Sequence, residues 1–124
     1  MKIGTDITVV SRIAKSIEKF GDKFLDRFLN QDEKEIAKRV ETIAGYWAGK
    51  EAVSKALGCG IGAELCFHDI IIYKDKKNAP HFKLTPKAQK LHNIKDSSLS
   101  IAHDGGFAIA VVVLKTDIKN KGNI

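Results

Sequence analysis

Polar and apolar residues alternate from Lys2 to Val10, with Ile3, Thr5, Ile7 and Val9 on one side and Gly4, Asp6 and Thr8 on the other. A period of two predicts a β-strand. Ser11 is a suitable N-cap for a helix starting near Arg12. Along it Ile13, Ile17, Phe20, Phe24 and Phe28 share one sector beside a basic stripe of Arg12, Lys15, Lys19, Lys23 and Arg27. Gly21 is where that helix can break. From Gln31 to Gly58 the apolar positions Ile36, Val40, Ile43, Ala44, Trp47 and Ala48 recur at helical spacing, acids gather near the start, and a glycine ends the run. The pattern predicts a long helix, in one piece or two segments.

Asp69 to Tyr73 is dense in β-branched residues and predicts a strand, followed by a turn and a hairpin partner over His81 to Leu84. Thr85 and Pro86 open a short helix over Lys87 to His92. Two further strands, Ser98 to His103 and Phe107 to Leu114, flank the link Asp104-Gly105-Gly106 and predict a closing hairpin. The order implies a small α+β domain over residues 1–114, an antiparallel sheet packed against one long and several short helices, with a polar tail at 115–124.

Length and charge narrow the classes. The chain has 124 residues, of which 44% are hydrophobic, and 21 Lys and Arg against 15 Asp and Glu give a net charge of +6. That balance suits one globular domain. The longest apolar run, Phe107 to Leu114, is far short of the roughly 20 residues a membrane helix needs. The first ten residues lack the h-region of a signal peptide, so the expected location is the cytoplasm. Cys59 and Cys66 have no zinc-ligand spacing and read as reduced structural thiols. The positive charge points to an anionic partner: a nucleic acid, a membrane surface, a phosphorylated small molecule or an acidic protein.

Glu51 is the most informative residue, because it falls at the edge of the apolar stripe of the long helix, where a bare carboxylate is costly. An ion pair with Lys55 one turn on would satisfy it. A divalent cation shared with a second carboxylate would do so too, and Asp6 on the less apolar side of the first strand is the candidate; two hard oxygen ligands without Cys or His suit Mg²⁺. Lys50, Ser54 and Lys55 surround Glu51, and Gly58 to Gly62 can stop the helix or present backbone N–H groups to an anion. His103 ends a strand at the sheet rim, a position open to a ligand as well as to plain solvent.

Three blocks taken together resemble the bacterial holo-acyl-carrier-protein synthase family of 4′-phosphopantetheinyl transferases. They are IGTDITVVSRI at Ile3 to Ile13, AGYWAGKEAVSKALGCGIG at Ala44 to Gly62 and LSIAHDGGFAIAVVVL at Leu99 to Leu114, with a smaller D-I-x-I block at Asp69 to Ile72. The resemblance implies Mg²⁺-dependent transfer of the phosphopantetheine arm of coenzyme A to a serine of an acyl carrier protein, in fatty acid biosynthesis. It implies Asp6 and Glu51 as metal ligands, Glu51 and Lys55 as the catalytic pair, and Lys50, Lys55, Gly60, Gly62 and His103 as coenzyme A contacts. Arg12, Lys15 and Lys19 become the face for the acidic carrier, and the assembly a homotrimer with shared sites. Tyr46 stands where the family commonly has Arg, and Ala102 where it has a second Ser. Two other readings stay open: a catalytically weak relative that binds coenzyme A or the carrier, and a small basic nucleic-acid-binding module.

Overall fold

Eighteen residues, Val40–Leu57, form the central helix of the computed structural model, which describes residues 1–117. The elements run β1 (Lys2–Val9), α1 (Val10–Phe20), α2 (Asp22–Leu25), α3 (Gln31–Ile36), α4 (Val40–Leu57), β2 (Ile70–Lys74), β3 (Pro80–Leu84), α5 (Pro86–His92), β4 (Ile94–Asp104) and β5 (Phe107–Thr116). The α+β class holds, and the antiparallel sheet is in fact two: β1-β5-β4 and the hairpin β2-β3. Helix α4 lies against both, with Ala44, Ala48, Ala52 and Ala56 buried along it. The small side chains let strand and helix approach closely. A Cβ at Gly4 would stand 2.1 Å from the Ala52 carbonyl oxygen and 2.5 Å from the Ala56 nitrogen, so only glycine fits there.

The stretch Gln31 to Gly58 is two segments. An Asn30–Glu33 capping box starts α3, each side chain accepting from the other's backbone N–H. Gly58, with φ of 79°, stops α4 in the left-handed conformation. Helix α1 starts earlier than the pattern predicts, at Val10, with Val9 at the cap position in place of Ser11. It ends at Gly21, and past that break Phe24 and Phe28 enter the core while Phe20 stays 52% exposed. Phe24 and Phe28 meet Trp47, and Phe67 closes the cluster with ring centroids 4.8 Å from Trp47 and 6.0 Å from Phe28. Each such pair adds about 0.5–1.5 kcal/mol beyond its buried area.

Asp69 precedes β2 in a 3₁₀ turn, where its carboxylate accepts from Thr85 Oγ1 and from the Cys66 N–H. Strand β4 begins at Ile94, before the predicted Ser98: a bulge between Ile94 and Asp96 leaves Lys95 unpaired and keeps the polar residues Asp96 to Ser98 paired with β5. Strand β5 runs to Thr116, and residues 118–124 of the expected tail lie outside the described residues.

The β1 alternation is present, and its orientation sets up the rest of the molecule. Gly4, Asp6 and Thr8 turn towards α4, while Ile3 and Ile7 face outward, 66% and 61% exposed. On β5, Ala108, Ala110 and Val112 are buried and Phe107, Ile109 and Val111 are exposed. One sheet face is therefore covered by helix, and the other is an open apolar surface.

Candidate active site

Asp6 lies on the helix-facing side of β1, opposite Ala110 of β5, with its side chain 11% exposed. Thr8, two residues on and on the same face, donates from Oγ1 to Asp6 Oδ2 at 2.8 Å. Lys55 Nζ, reaching across from α4, donates to Asp6 Oδ1 at 2.8 Å. Lys55 therefore turns to Asp6, and among the described residues no Glu51–Lys55 ion pair forms.

Glu51, one turn before Lys55, is half-buried, and its carboxyl is held above its ordinary value, first by burial and then by the charge of Asp6, with Lys55 pulling it down. Two carboxylates that repel each other, with one half-exposed ammonium bonded to Asp6, form a donor set that a divalent cation fits. Among the described residues no cluster of three or more His, Cys, Asp or Glu side chains could hold a metal. Asp6 and Glu51 would then supply two oxygens, leaving the other positions to water and substrate.

A cleft of about 350 Å³ opens beside Asp6, floored by Ile13, Phe24 and Trp47 and rimmed by Arg12 and Arg27. Arg12, Lys15 and Lys19 are all exposed on α1. The cleft joins that basic helix to the carboxylate site.

Three expectations need correction or relocation. Lys50 does not face the site. It is 0% exposed, and its Nζ donates to Glu33 Oε1 at 2.9 Å, to the Phe28 carbonyl at 2.6 Å and to the Phe67 carbonyl at 3.3 Å. Glu33 answers with Oε2, which accepts from the Ile72 N–H. An ammonium enclosed on three sides holds the fold together and cannot reach a coenzyme phosphate. Gly60 and Gly62 follow the end of α4, and their N–H groups are already given to the Ser54 and Leu65 carbonyls, so these two do not form an anion cradle in this structure.

His103 is exposed on the same sheet face as Asp6, paired with Ala108 next to Thr8, so two strand spacings, about 10 Å, separate it from β1. It shares a cleft with Glu41, which is ten residues, about 15 Å along α4, from Glu51. Within one chain His103 does not join Asp6, Glu51 and Lys55.

The pattern gave no notice of the Glu33–Lys50 pair or of Thr8 as a partner of Asp6. The N-x-x-E spacing from Asn30 to Glu33 is the one local signal that could have singled out Glu33. Tyr46 is 1% exposed and among the described residues its hydroxyl has no hydrogen-bond partner, so it does not replace the basic contact of an Arg.

A family model described as the 4′-phosphopantetheinyl transferase superfamily matches residues 2–112. A holo-[acyl-carrier-protein] synthase of Sulfurovum is 56% identical over 114 residues, covering 92% of this chain and 96% of the relative. That of Aliarcobacter butzleri is 58% identical over 111 residues, covering 90% and 94%. Among solved structures, the Helicobacter pylori synthase in complex with coenzyme A superposes with a TM-score of 0.89 at 49% identity, covering 91% of this chain and 99% of that one. The Bacillus anthracis synthase in complex with CoA (3′,5′-ADP) gives 0.79 at 37% identity, covering 94% and 96%.

Proposed function

This chain belongs to the 4′-phosphopantetheinyl transferase superfamily, and from that membership we propose its reaction. It moves the 4′-phosphopantetheine arm of coenzyme A to a serine hydroxyl of an apo acyl carrier protein, giving holo carrier and adenosine 3′,5′-bisphosphate, and so serves fatty acid biosynthesis. The observation that carries the reading is the grouping of Glu51 and Lys55 of α4 about Asp6 of β1, with Asp6 lining the Arg12-rimmed cleft.

The chemistry needs charge neutralised on a pyrophosphate while a hydroxyl attacks its β-phosphorus. Asp6 and Glu51 would hold Mg²⁺, which when bound supplies Lewis-acid neutralisation of phosphate oxygens. Lys55, half-exposed on a flexible stem, can swing from Asp6 to a phosphate oxygen. The Glu51 carboxylate would accept the serine proton directly or through a water. Gly60 and Gly62 contribute as loop backbone without side chains: an added Cβ at either meets nothing within 4 Å, so a coenzyme can approach. Arg12, Lys15 and Lys19 offer the acidic carrier a complementary face leading into the cleft.

The open sheet face supports a homotrimer, because Ile3, Ile7, Phe107, Ile109 and Val111 leave a contiguous apolar surface that a second copy would cover. His103 of one subunit could then complete the Asp6–Glu51 site of the next. Light scattering on Ile109→Lys should read a monomer's mass with activity lost; an unchanged trimer mass would remove this part of the reading. Among the described residues no helix is long and apolar enough to cross a membrane, and we place the reaction in the cytoplasm.

Intact-mass measurement of apo carrier protein incubated with coenzyme A and Mg²⁺ tests the function. The expected result is one phosphopantetheine added per carrier, lost with Asp6→Asn or Glu51→Gln while the fold is kept. No mass gain on any apo carrier would end the proposal.

A further inference from the structure

We infer that Thr8 is a positioning residue, whose hydroxyl sets the Asp6 carboxylate in the orientation that binds a divalent cation together with Glu51; this rests on the metal reading above. A carboxylate rotates easily about its terminal torsion, so an aspartate on a strand does not by itself present a fixed pair of oxygens. Here one donor holds each oxygen: Thr8 Oγ1 on Oδ2 and Lys55 Nζ on Oδ1, both at 2.8 Å. Each oxygen keeps a further acceptor position, so the two bonds fix the plane and leave room for a cation.

The two donors differ in permanence. Lys55 has a side chain 52% exposed on a four-carbon stem and is free to follow a phosphate. Thr8 is 8% exposed, β-branched and stiff at χ1, and lies on the helix-facing side opposite fully buried Ala108. A hydroxyl enclosed there would be left unsatisfied if it released Asp6, so the bond has a reason to persist when Lys55 leaves. Asp6 and Thr8 share a sheet face because they are two residues apart on a strand, and the contact needs no other element to form it.

The test titrates Mn²⁺ against the full-length protein with coenzyme A bound, read by electron paramagnetic resonance of the free ion. Thr8→Val keeps the shape and removes the donor, and should weaken Mn²⁺ binding about tenfold, the usual range for loss of a group that orients a metal ligand. The KM for coenzyme A at saturating metal should change less than the Mn²⁺ affinity, because the lost hydroxyl acts through Asp6. Thr8→Ser, which restores the hydroxyl, should return the affinity to within about threefold of the wild type. If Thr8→Val fails to fold, Thr8→Ala against Thr8→Ser makes the same comparison. Wild-type affinity in Thr8→Val, or a Thr8→Ser as weak as Thr8→Val, overturns the inference while the metal site stands. A wild-type protein that binds no Mn²⁺, or binds it equally as Asp6→Asn, overturns the metal reading and this inference with it.

Discussion

Lys50 and Lys55 sit five residues apart on α4, each bonded to a carboxylate from another element, and they do opposite work. Five residues turn the helix by about 140°, so the two ammoniums leave it on different faces. Lys50 meets Glu33 with both side chains essentially unexposed. Burial pushes its pKa down against the charge of Glu33. Lys55 meets Asp6 at the open edge of the sheet, and its pKa is pushed up, chiefly by the hydrogen bond to Asp6. The same pair of residue types is a structural tie where water is excluded and a movable group where it is not.

Lys50→Met should produce the largest effect. It leaves the Glu33 carboxylate buried with only backbone donors, at Asn30 and Ile72, and should lower stability by about 3–5 kcal/mol. A urea midpoint shift at constant slope measures it, and adding Glu33→Gln should recover part of the loss. Lys55→Met should do the reverse. Its ammonium is half-exposed and Asp6 keeps the Thr8 hydroxyl as a donor, so the midpoint should move by about 1 kcal/mol, well below the Lys50→Met loss. Removing one cation from the phosphate site should instead slow carrier modification by about 10²–10³-fold in kcat. Equal stability losses from the two substitutions would erase the distinction.

The same contrast marks what the sequence could convey. Helix and strand periods located the main helices and strands, because patterning is local. Glu51 stood out because a carboxylate at the edge of an apolar stripe needs a partner, and Lys55 and Asp6 entered as its candidate partners. Lys50 was misassigned for a related reason. The K-E-A-x-x-K-A block contains both lysines, and nothing local says that Glu33, the Phe28 carbonyl and the Phe67 carbonyl converge on the first. Those partners lie 17 to 22 residues away and meet it only through tertiary packing. The open face of the sheet was hidden too, since alternation separates the two faces of β1 without saying which one the helix covers.

The smallest expected effect concerns Glu51, which lies between the two lysines in the chain. Its carboxyl is raised by burial and by the charge of Asp6. A raised carboxyl favours the protonated folded state, so its contribution to stability is full below the unfolded value and is lost as pH rises through the folded one. In metal-free protein near neutral pH, ionised Glu51 is therefore a penalty that a cation relieves. Carbon-13 titration of metal-free protein should place the Glu51 midpoint above the usual glutamate value of about 4.3. Asp6→Asn should move it down, because the repelling charge goes and Lys55 is released towards Glu51. Mg²⁺ should move it down as well, and Lys50→Met, if folded, should leave it in place because the Lys50 ammonium leaves the helix about 100° away and is held by Glu33. A midpoint that ignores Asp6 yet follows Lys50 would mean that the two lysines share one electrostatic environment, and the division drawn between them would fail.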